Sequence, residues 1–381
     1  MRIGIGAILG TLGGPATYAR ELIGALARID TRTEYVVITD APRALAVEAP
    51  NVRCVALPLA KPMLQPVWDH AVVPALVRRY GLDLYHGTKG TLPLWRGCKQ
   101  VVTIHDLAVY HQPQTFAWVQ RVQQRSQTPL AARRAARVIA VSASARRDIL
   151  ARFRLPEAHV VAIPLGVAPR FSGVAGPEDG RIAAAAGLPL RFVLYAGTIQ
   201  PRKNVEMLVD AFAATRRGEA ELLIAGRVRP GYRPRFLTQP PPGVRYLGPV
   251  SDQVLVVLYR RALALFSPST YEGFGLSLLE AMASGCLVVA GHNSAIPELV
   301  GDHGILLPEL TVASLRGALA RVLGGDASLD VLRAGALERA GRYRWEETAR
   351  RTLAVYQDVC APPPRPSSVR GEAHGGGGQS V

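Results

Sequence analysis

At 381 residues the chain exceeds what one hydrophobic core usually supports, so two domains are expected, and with 49% hydrophobic and 19% charged residues it falls outside the range of disordered chains. The formal net charge of +16 implies anionic company (nucleic acid, a membrane surface or a phosphate-bearing substrate), and charge alone does not choose among them. Only four of the 45 basic residues are lysines (Lys61, Lys89, Lys99 and Lys203), which reads as a general arginine bias rather than a polybasic patch, so a nucleic-acid partner is not expected.

In chain order, the run from Ile3 to Gly14 carries many glycines and no small-residue cleavage pattern, which argues against a signal peptide. No later stretch is long and apolar enough to span a bilayer. Short apolar runs then alternate with helix-length segments, the pattern of βα units feeding a parallel sheet. Strands are expected at Arg2 to Ala7, Tyr35 to Thr39, Val52 to Leu57, Leu82 to His86, Val101 to His105, Arg137 to Val141 and Val160 to Pro164. A helix is expected from about Ser142 to Phe153, with Ser142 or Ser144 to cap its N-terminus. The Pro- and Gly-dense segment Pro164 to Gly180 breaks this rhythm and reads as an interdomain linker. Further strands follow at Arg191 to Ala196, Glu221 to Ala225, Val244 to Leu247, Ala262 to Phe266, Leu287 to Ala290 and Ile305 to Leu307, then a helix from Trp345 to Val359. The tail from Ala361 to Val381 is Pro-rich, then Gly-rich, and is expected to be disordered. The four scattered cysteines, Cys54, Cys98, Cys286 and Cys360, contain no CxxC pair and support neither a zinc knuckle nor a disulfide framework; a reducing compartment fits them.

Two doubly wound domains bind ligands at the carboxyl ends of their strands, so residues of chemical interest belong just after strands. Four groups stand there. Gly13-Gly14 follows the first strand and precedes a helix, where paired glycines admit a phosphate or sugar to the backbone or simply make a tight turn. The pair His105-Asp106 ends the apolar strand VVTI, facing a crevice unless His105 is satisfied by a local backbone bond. Pro201-Arg202-Lys203-Asn204 puts two cations at a helix start, which is what a departing diphosphate requires as its negative charge develops. The fourth is STYEGFGLSLLEAMASG, residues 269 to 285, with Glu272 on a glycine-freed loop and Glu280 in the helix behind it, so that two carboxylates can hold different parts of one ligand. No GxGxxG is present, which leaves nicotinamide and flavin dinucleotides unindicated.

With these groups in this order the chain resembles the GT4 family of retaining glycosyltransferases, over nearly its whole length to about Val359; the most specific match is the family's E-x7-E motif at Glu272 and Glu280, followed by SGCLVVAGHNSAIPELV. The resemblance implies a GT-B fold of class α/β, two Rossmann-like doubly wound domains facing across a cleft. Residues 1–165 would form an acceptor-binding domain joined by a returning helix, 345–360, and residues 166–344 a nucleotide-sugar donor-binding domain. It implies that Glu272 contacts donor-sugar hydroxyls and Glu280 the ribose, and that the backbone of Gly273, Phe274 and Gly275 holds sugar and diphosphate. Lys203 and Arg202 would bind the diphosphate, Gly14 would approach it from the opposite domain, and His105 would lie near the transferred sugar. His105, Glu272 and Lys203 are thereby the expected catalytic residues. Many members carry an arginine where this chain has Thr198, so one phosphate cation is missing or replaced, with Arg202 as the replacement.

The function implied is metal-independent transfer of a hexose, with retention, from a nucleotide diphosphate sugar to a glycan or lipid-linked glycan, with no cofactor. The absence of a DxD sequence, which would bridge a divalent ion to a diphosphate, agrees. The stretch GTIQPRKN and the strand end TIHD resemble mannosyltransferase-type members, making GDP-mannose the first donor and UDP-glucose or another hexose donor the alternative. A nucleotide-sugar 2-epimerase of the same fold and a non-catalytic nucleotide-sugar binding protein are the competing readings. A cytoplasmic location is implied, and peripheral contact with the anionic inner face of the cell membrane, through Arg133, Arg134, Arg137, Arg146 and Arg147, is open; a solvated surface is the favoured reading of those arginines.

Overall fold

The computed structural model describes residues 1–9, 13–57, 68–95, 97–215 and 218–362. Strands β1 (Arg2–Ala7), β2 (Glu34–Thr39), β3 (Val52–Ala56), β4 (Leu84–Gly87), β5 (Lys99–Ile104), β6 (Arg137–Ala140) and β7 (Val160–Ala162) form one parallel sheet in the order β3-β2-β1-β4-β5-β6-β7. Strands β8 (Phe192–Ala196), β9 (Glu221–Ala225), β10 (Val244–Gly248), β11 (Leu265–Ser267), β12 (Val288–Gly291) and β13 (Ile305–Leu307) form a second, in the order β10-β9-β8-β11-β12-β13. This is the α/β, doubly wound pair that the apolar runs predict. The strands read as continuous hydrophobic stretches because helices cover both faces of a parallel sheet.

Boundaries moved where a helix end claims the residue instead. Strand β4 begins two residues later than expected because Leu82 donates to Val77 O, closing the preceding helix through Gly81 in the left-handed conformation (φ 58°). Strand β11 begins at Leu265 because the N–H of Ala262 still serves the helix Asp252–Arg261, bonding Leu258 O. The segment expected to be linker ends early: Asp179–Ala185 is helical. Its first part is tightly held. Val167 makes a parallel bridge to Arg344, and a Cβ on Gly166 would sit 2.2 Å from Trp345 N, so the chain's passage out of the first lobe and its passage back run side by side. Of the expected disordered tail, residues 363–381 lie outside the described residues.

Alternate side chains of β8 serve different cores. Phe192 and Leu194 join a buried cluster that also contains Ile3, Ile5, Val102, Leu278 and Met282 and so runs through both lobes, whereas Val193 and Tyr195 face a separate cluster with Phe212, Phe266 and Leu319. The last helix, Trp345–Cys360, packs on Gly14–Ile29 and is pinned to the first sheet. Tyr356 Oη lies 2.6 Å from His86 Nδ1, His86 Nε2 lies 2.7 Å from Thr103 Oγ1, and Tyr18 Oη lies 2.9 Å from the same hydroxyl. Burial pushes His86 down to about 3, so this buried relay is neutral.

Candidate active site

Each sheet reverses its strand order once, between β1 and β4 and between β8 and β11, and such reversals open a crevice at the carboxyl ends of the strands. The segments leaving these four strands carry Gly13-Gly14, Thr88-Lys89, Pro201–Lys203 and Ser269–Gly275. The two crevices face each other. The ideal Cβ position of Gly14 lies 3.9 Å from Leu276 Cδ1 across the gap, and that of Gly273 lies 2.0 Å from His105 O.

At the centre stands an ion cluster. Lys203 Nζ donates to Glu272 Oε1, Arg202 Nη1 lies 3.7 Å from Glu272 Oε2, and Arg202 Nη2 lies 4.0 Å from Asp106 Oδ2 in the other lobe. Arg202 also donates to Tyr271 O at 2.8 Å. The two cations sit on a 3-10 turn, Pro201–Lys203, which Asn204 ends in the left-handed conformation (φ 54°), one that asparagine tolerates better than most residues. The Glu272 side chain is only 9% exposed. Burial raises its pKa, but Lys203 and Arg202 outweigh burial and hold the carboxyl below its usual range; burial lowers Lys203, which Glu272 only partly offsets. Glu272 is fixed by its backbone too, since its N–H donates to Ser294 Oγ (2.8 Å) and its carbonyl accepts from Ala295 N (3.3 Å).

His105 Nε2 donates to Thr88 O (2.8 Å), which places its proton on that nitrogen, and burial lowers its pKa, so the ring is neutral. The local backbone bond that the sequence left as an alternative is therefore made, and the residue still borders the crevice through its backbone against Gly273. Gly275 adopts φ 102°, and this left-handed turn starts the helix Leu276–Ala283. Phe274 is buried edge-to-face on Tyr343, ring centroids 5.9 Å apart. Thr198 contributes a carbonyl that accepts from Tyr195 Oη (3.0 Å), and Arg202 is the cation placed beside Lys203.

Glu280 lies apart from Glu272, with Tyr259 Oη donating to its Oε2 at 3.3 Å. Burial raises it to about 7; Tyr259 and Arg170 pull it down, and Asp252 and Glu21 push it up. An acid raised in the folded state binds its proton more tightly there than when unfolded, so its ionisation costs stability progressively as pH rises from 4.5 to about 7 and fully above that. Glu280→Gln should therefore stabilise the fold by about 2 kcal/mol above pH 7, after discounting for the solvent that reaches this half-buried group, with little effect at pH 4.5. Thermal melts across that range check the sign, and an equal gain at both ends would exclude titration of Glu280 as its source.

Sequence reasoning missed the contacts that join the lobes. Tyr271 Oη donates to Asp148 Oδ2 (2.6 Å) while its ring stacks on His111 at 4.8 Å. Ser142 Oγ donates to Gly273 O (2.7 Å), and the Glu298 carboxylate accepts from Ala143 N and Ser144 N (2.8 and 2.9 Å). Tyr271 and Glu298 both lie in or beside the quoted motif, but their partners are more than 100 residues away. Of the arginines considered for anionic headgroups, Arg137 pairs with Asp358 (2.9 Å) and Arg146 bonds the carbonyl of Val160 (2.8 Å), both within the first lobe and its returning helix, whereas Arg133 and Arg134 end the helix Trp118–Arg134, where they also reach the carbonyls of Phe153 (3.5 Å) and Leu94.

Comparison with known proteins bears on the family and the fold. Residues 12–171 match the family described as Glycosyltransferase Family 4, and residues 191–324 match Glycosyl transferases group 1. The O-antigen chain mannosyltransferase B of Escherichia coli is 29% identical over 301 residues, 74% of this chain and 76% of that protein. The chain's matches span less than half the length of several other curated relatives. Sucrose-phosphate synthase from Thermosynechococcus elongatus has the same fold, with TM-score 0.77 and 23% identity over 94% of this chain and 98% of that one. Anabaena HepE, solved in complex with UDP-glucose, superposes with TM-score 0.74 and 16% identity over 94% of this chain and all of its own. With the sheet order, the facing crevices and both halves of the chain matched, the protein belongs to the GT4 glycosyltransferases of GT-B fold.

Proposed function

We propose that this glycosyltransferase moves a hexose, mannose first, from a nucleotide diphosphate donor to a glycan or lipid-linked glycan acceptor, with retention and without a metal. The observation that carries the proposal is the meeting of Arg202, Lys203 and Glu272 at one switch point with Gly14 and His105 opposite. In this reading the bond from C1 to the diphosphate oxygen breaks and a bond from C1 to the acceptor oxygen forms. The acceptor's proton leaves on the diphosphate. Lys203 and Arg202 neutralise the charge that develops there, a task a metal ion would otherwise perform. Glu272 holds hydroxyls of the transferred sugar, Glu280 the ribose, and the backbone of residues 273–275 the sugar and diphosphate, with neutral His105 beside C1. Mannose is favoured by the mannosyltransferase relative. A thermal-shift screen of GDP, UDP and dTDP sugars, followed by transfer to mannoside acceptors, tests it: stabilisation and product with GDP-mannose are expected. An isomerised nucleotide sugar formed without acceptor, or binding with no product from any donor, would replace it.

A lipid-linked acceptor gives one surface a purpose. The helix Trp118–Arg134 carries Arg121, Arg125, Arg133 and Arg134 and no acid, and its outward side exposes Trp118 (68%), Val119, Val122 and Leu130. Its start is tied to the other lobe, where Arg229 donates to Thr115 O (2.5 Å) and to Gln120. An apolar stripe flanked by cations suits an anionic bilayer, so we place the acceptor's membrane there. Among the described residues no helix is long and apolar enough to cross a membrane. Flotation with phosphatidylglycerol vesicles should be strong and should fall about tenfold in a Trp118→Asp, Val122→Asp variant. Equal flotation of the variant, or no preference over phosphatidylcholine, would remove the membrane assignment.

A further inference from the structure

The helix Ala143–Phe153 belongs to the first lobe and has no acidic residue in its first turn. Its leading amides are satisfied from two sources. Ser142 Oγ accepts from Ala145 N at 2.9 Å, and Glu298, from the second lobe, takes Ala143 N and Ser144 N, one with each carboxylate oxygen. A carboxylate on the amide end of a helix is a charge-assisted contact that complements the helix dipole, and this one exists only while the lobes are together.

The same helix touches the glutamate loop twice more, through Ser142 to Gly273 O and through Asp148 to Tyr271 Oη. On the second lobe the segment that carries Glu298 grips Glu272 directly, since Ser294 Oγ accepts its N–H and Ala295 N donates to its carbonyl. Glu298 itself is anchored from behind, where Arg339 donates to the carbonyls of Glu298 (2.8 Å) and Leu299 (2.6 Å). Only Ile296 and Pro297 separate Glu298 from Ala295, whose backbone holds Glu272. A pull on one is therefore felt by the other.

We propose that Glu298 is a positioning residue: by docking on the amide end of the helix Ala143–Phe153 it holds the two lobes closed and couples that closure to the placement of Glu272. It touches none of the reacting groups. Its loss should leave donor affinity within about threefold, because the groups assigned to the donor lie almost wholly on the second lobe, while kcat falls about tenfold, the equivalent of one charged cap at a part-buried helix end. Glu298→Gln keeps the size and one acceptor oxygen and should lie between wild type and Glu298→Ala.

The test uses the whole chain labelled for energy transfer at the exposed Cys54 in the first lobe and at Val331→Cys, exposed in the second. Glu298→Ala should shift the interlobe distance towards separation without any ligand present, and donor binding measured by calorimetry should change little as kcat drops. This distance readout does not depend on the transfer reading, so a wild-type enzyme that fails to transfer leaves it interpretable. An unchanged distance distribution in Glu298→Ala would overturn the proposal. So would donor affinity lost in step with kcat, since that marks Glu298 as part of the donor site. If Glu298→Ala melts early, Glu298→Gln, which removes a single contact of the same clasp, and Ser142→Ala, which removes the bond to Gly273 O together with the helix cap on Ala145 N, must each show a smaller shift in the same direction, or the coupling is refuted.

Discussion

Lys203→Ala is expected to lower transfer by about a thousandfold, the loss typical of removing a charge that stabilises a developing anion in a water-poor site. The chain should stay folded, because Glu272 retains Arg202 at 3.7 Å and is not left as an isolated buried charge. Glu272→Ala should be at least as damaging to turnover and more damaging to stability: it leaves Arg202 and Lys203 side by side with only the Asp106 carboxylate, 4.0 Å from Arg202, to offset them. Since the two residues are paired with each other and assigned to the same ligand, the double variant should cost little more than the worse single, far from the product of the two. The pH dependence distinguishes them further. A carboxyl held below its usual value contributes stability above the unfolded pKa of 4.5 and loses it as pH falls through the lower folded value, so wild type should lose stability on that acid limb more steeply than Glu272→Ala. Turnover at the wild-type rate in both single variants, with the true donor and acceptor, would dismantle the catalytic assignment.

Much of the architecture is legible because parallel strands buried on both faces must be apolar runs bounded by turn residues, as FVLYA in β8 and ELLIA in β9 are. Strand ends that carry chemistry are legible for a related reason. A polar residue placed directly after a strand interrupts the apolar run abruptly, as His105 does at the end of β5. What stayed hidden is the set of side-chain contacts that join the lobes. Nothing in the periodicity of SAIPELV announces that Glu298 reaches a helix 155 residues earlier, or that Ser142, read only as a cap, also donates to Gly273. The helix at Asp179–Ala185 was hidden as well, because the preceding Pro-Gly density reads as linker throughout, whereas Asp179 Oδ2 accepts from Gly176 N and starts the turn. The arginines around β6, for which a solvated surface is the favoured reading, include two with partners inside their own lobe and its returning helix, Arg137 on Asp358 and Arg146 on Val160 O.

Those interlobe relations make Gly273 the position where the smallest possible change should have a large effect. A methyl group there would lie 2.0 Å from the carbonyl oxygen of His105 and 2.8 Å from Asp106 Cβ, and most of what it meets is backbone that cannot rotate away. The residue is not among those with φ in the left-handed region, so Gly273→Ala carries no conformational penalty of its own and the second lobe should fold normally. The strain falls on the gap. To accept the methyl the lobes must part by roughly 1 Å, a displacement that can cost about a hundredfold in rate when it separates reacting groups. It also stretches the Ser142 contact to Gly273 O and the docking of Glu298 together. We therefore expect kcat to fall about a hundredfold with a much smaller change in donor affinity. Gly317→Ala, which meets nothing within 4 Å, should be silent. If Gly273→Ala instead turned over like wild type at an unchanged interlobe distance, the contact between His105 and Gly273 would not define the working state, and the close approach of the two crevices would have to be separated from catalysis.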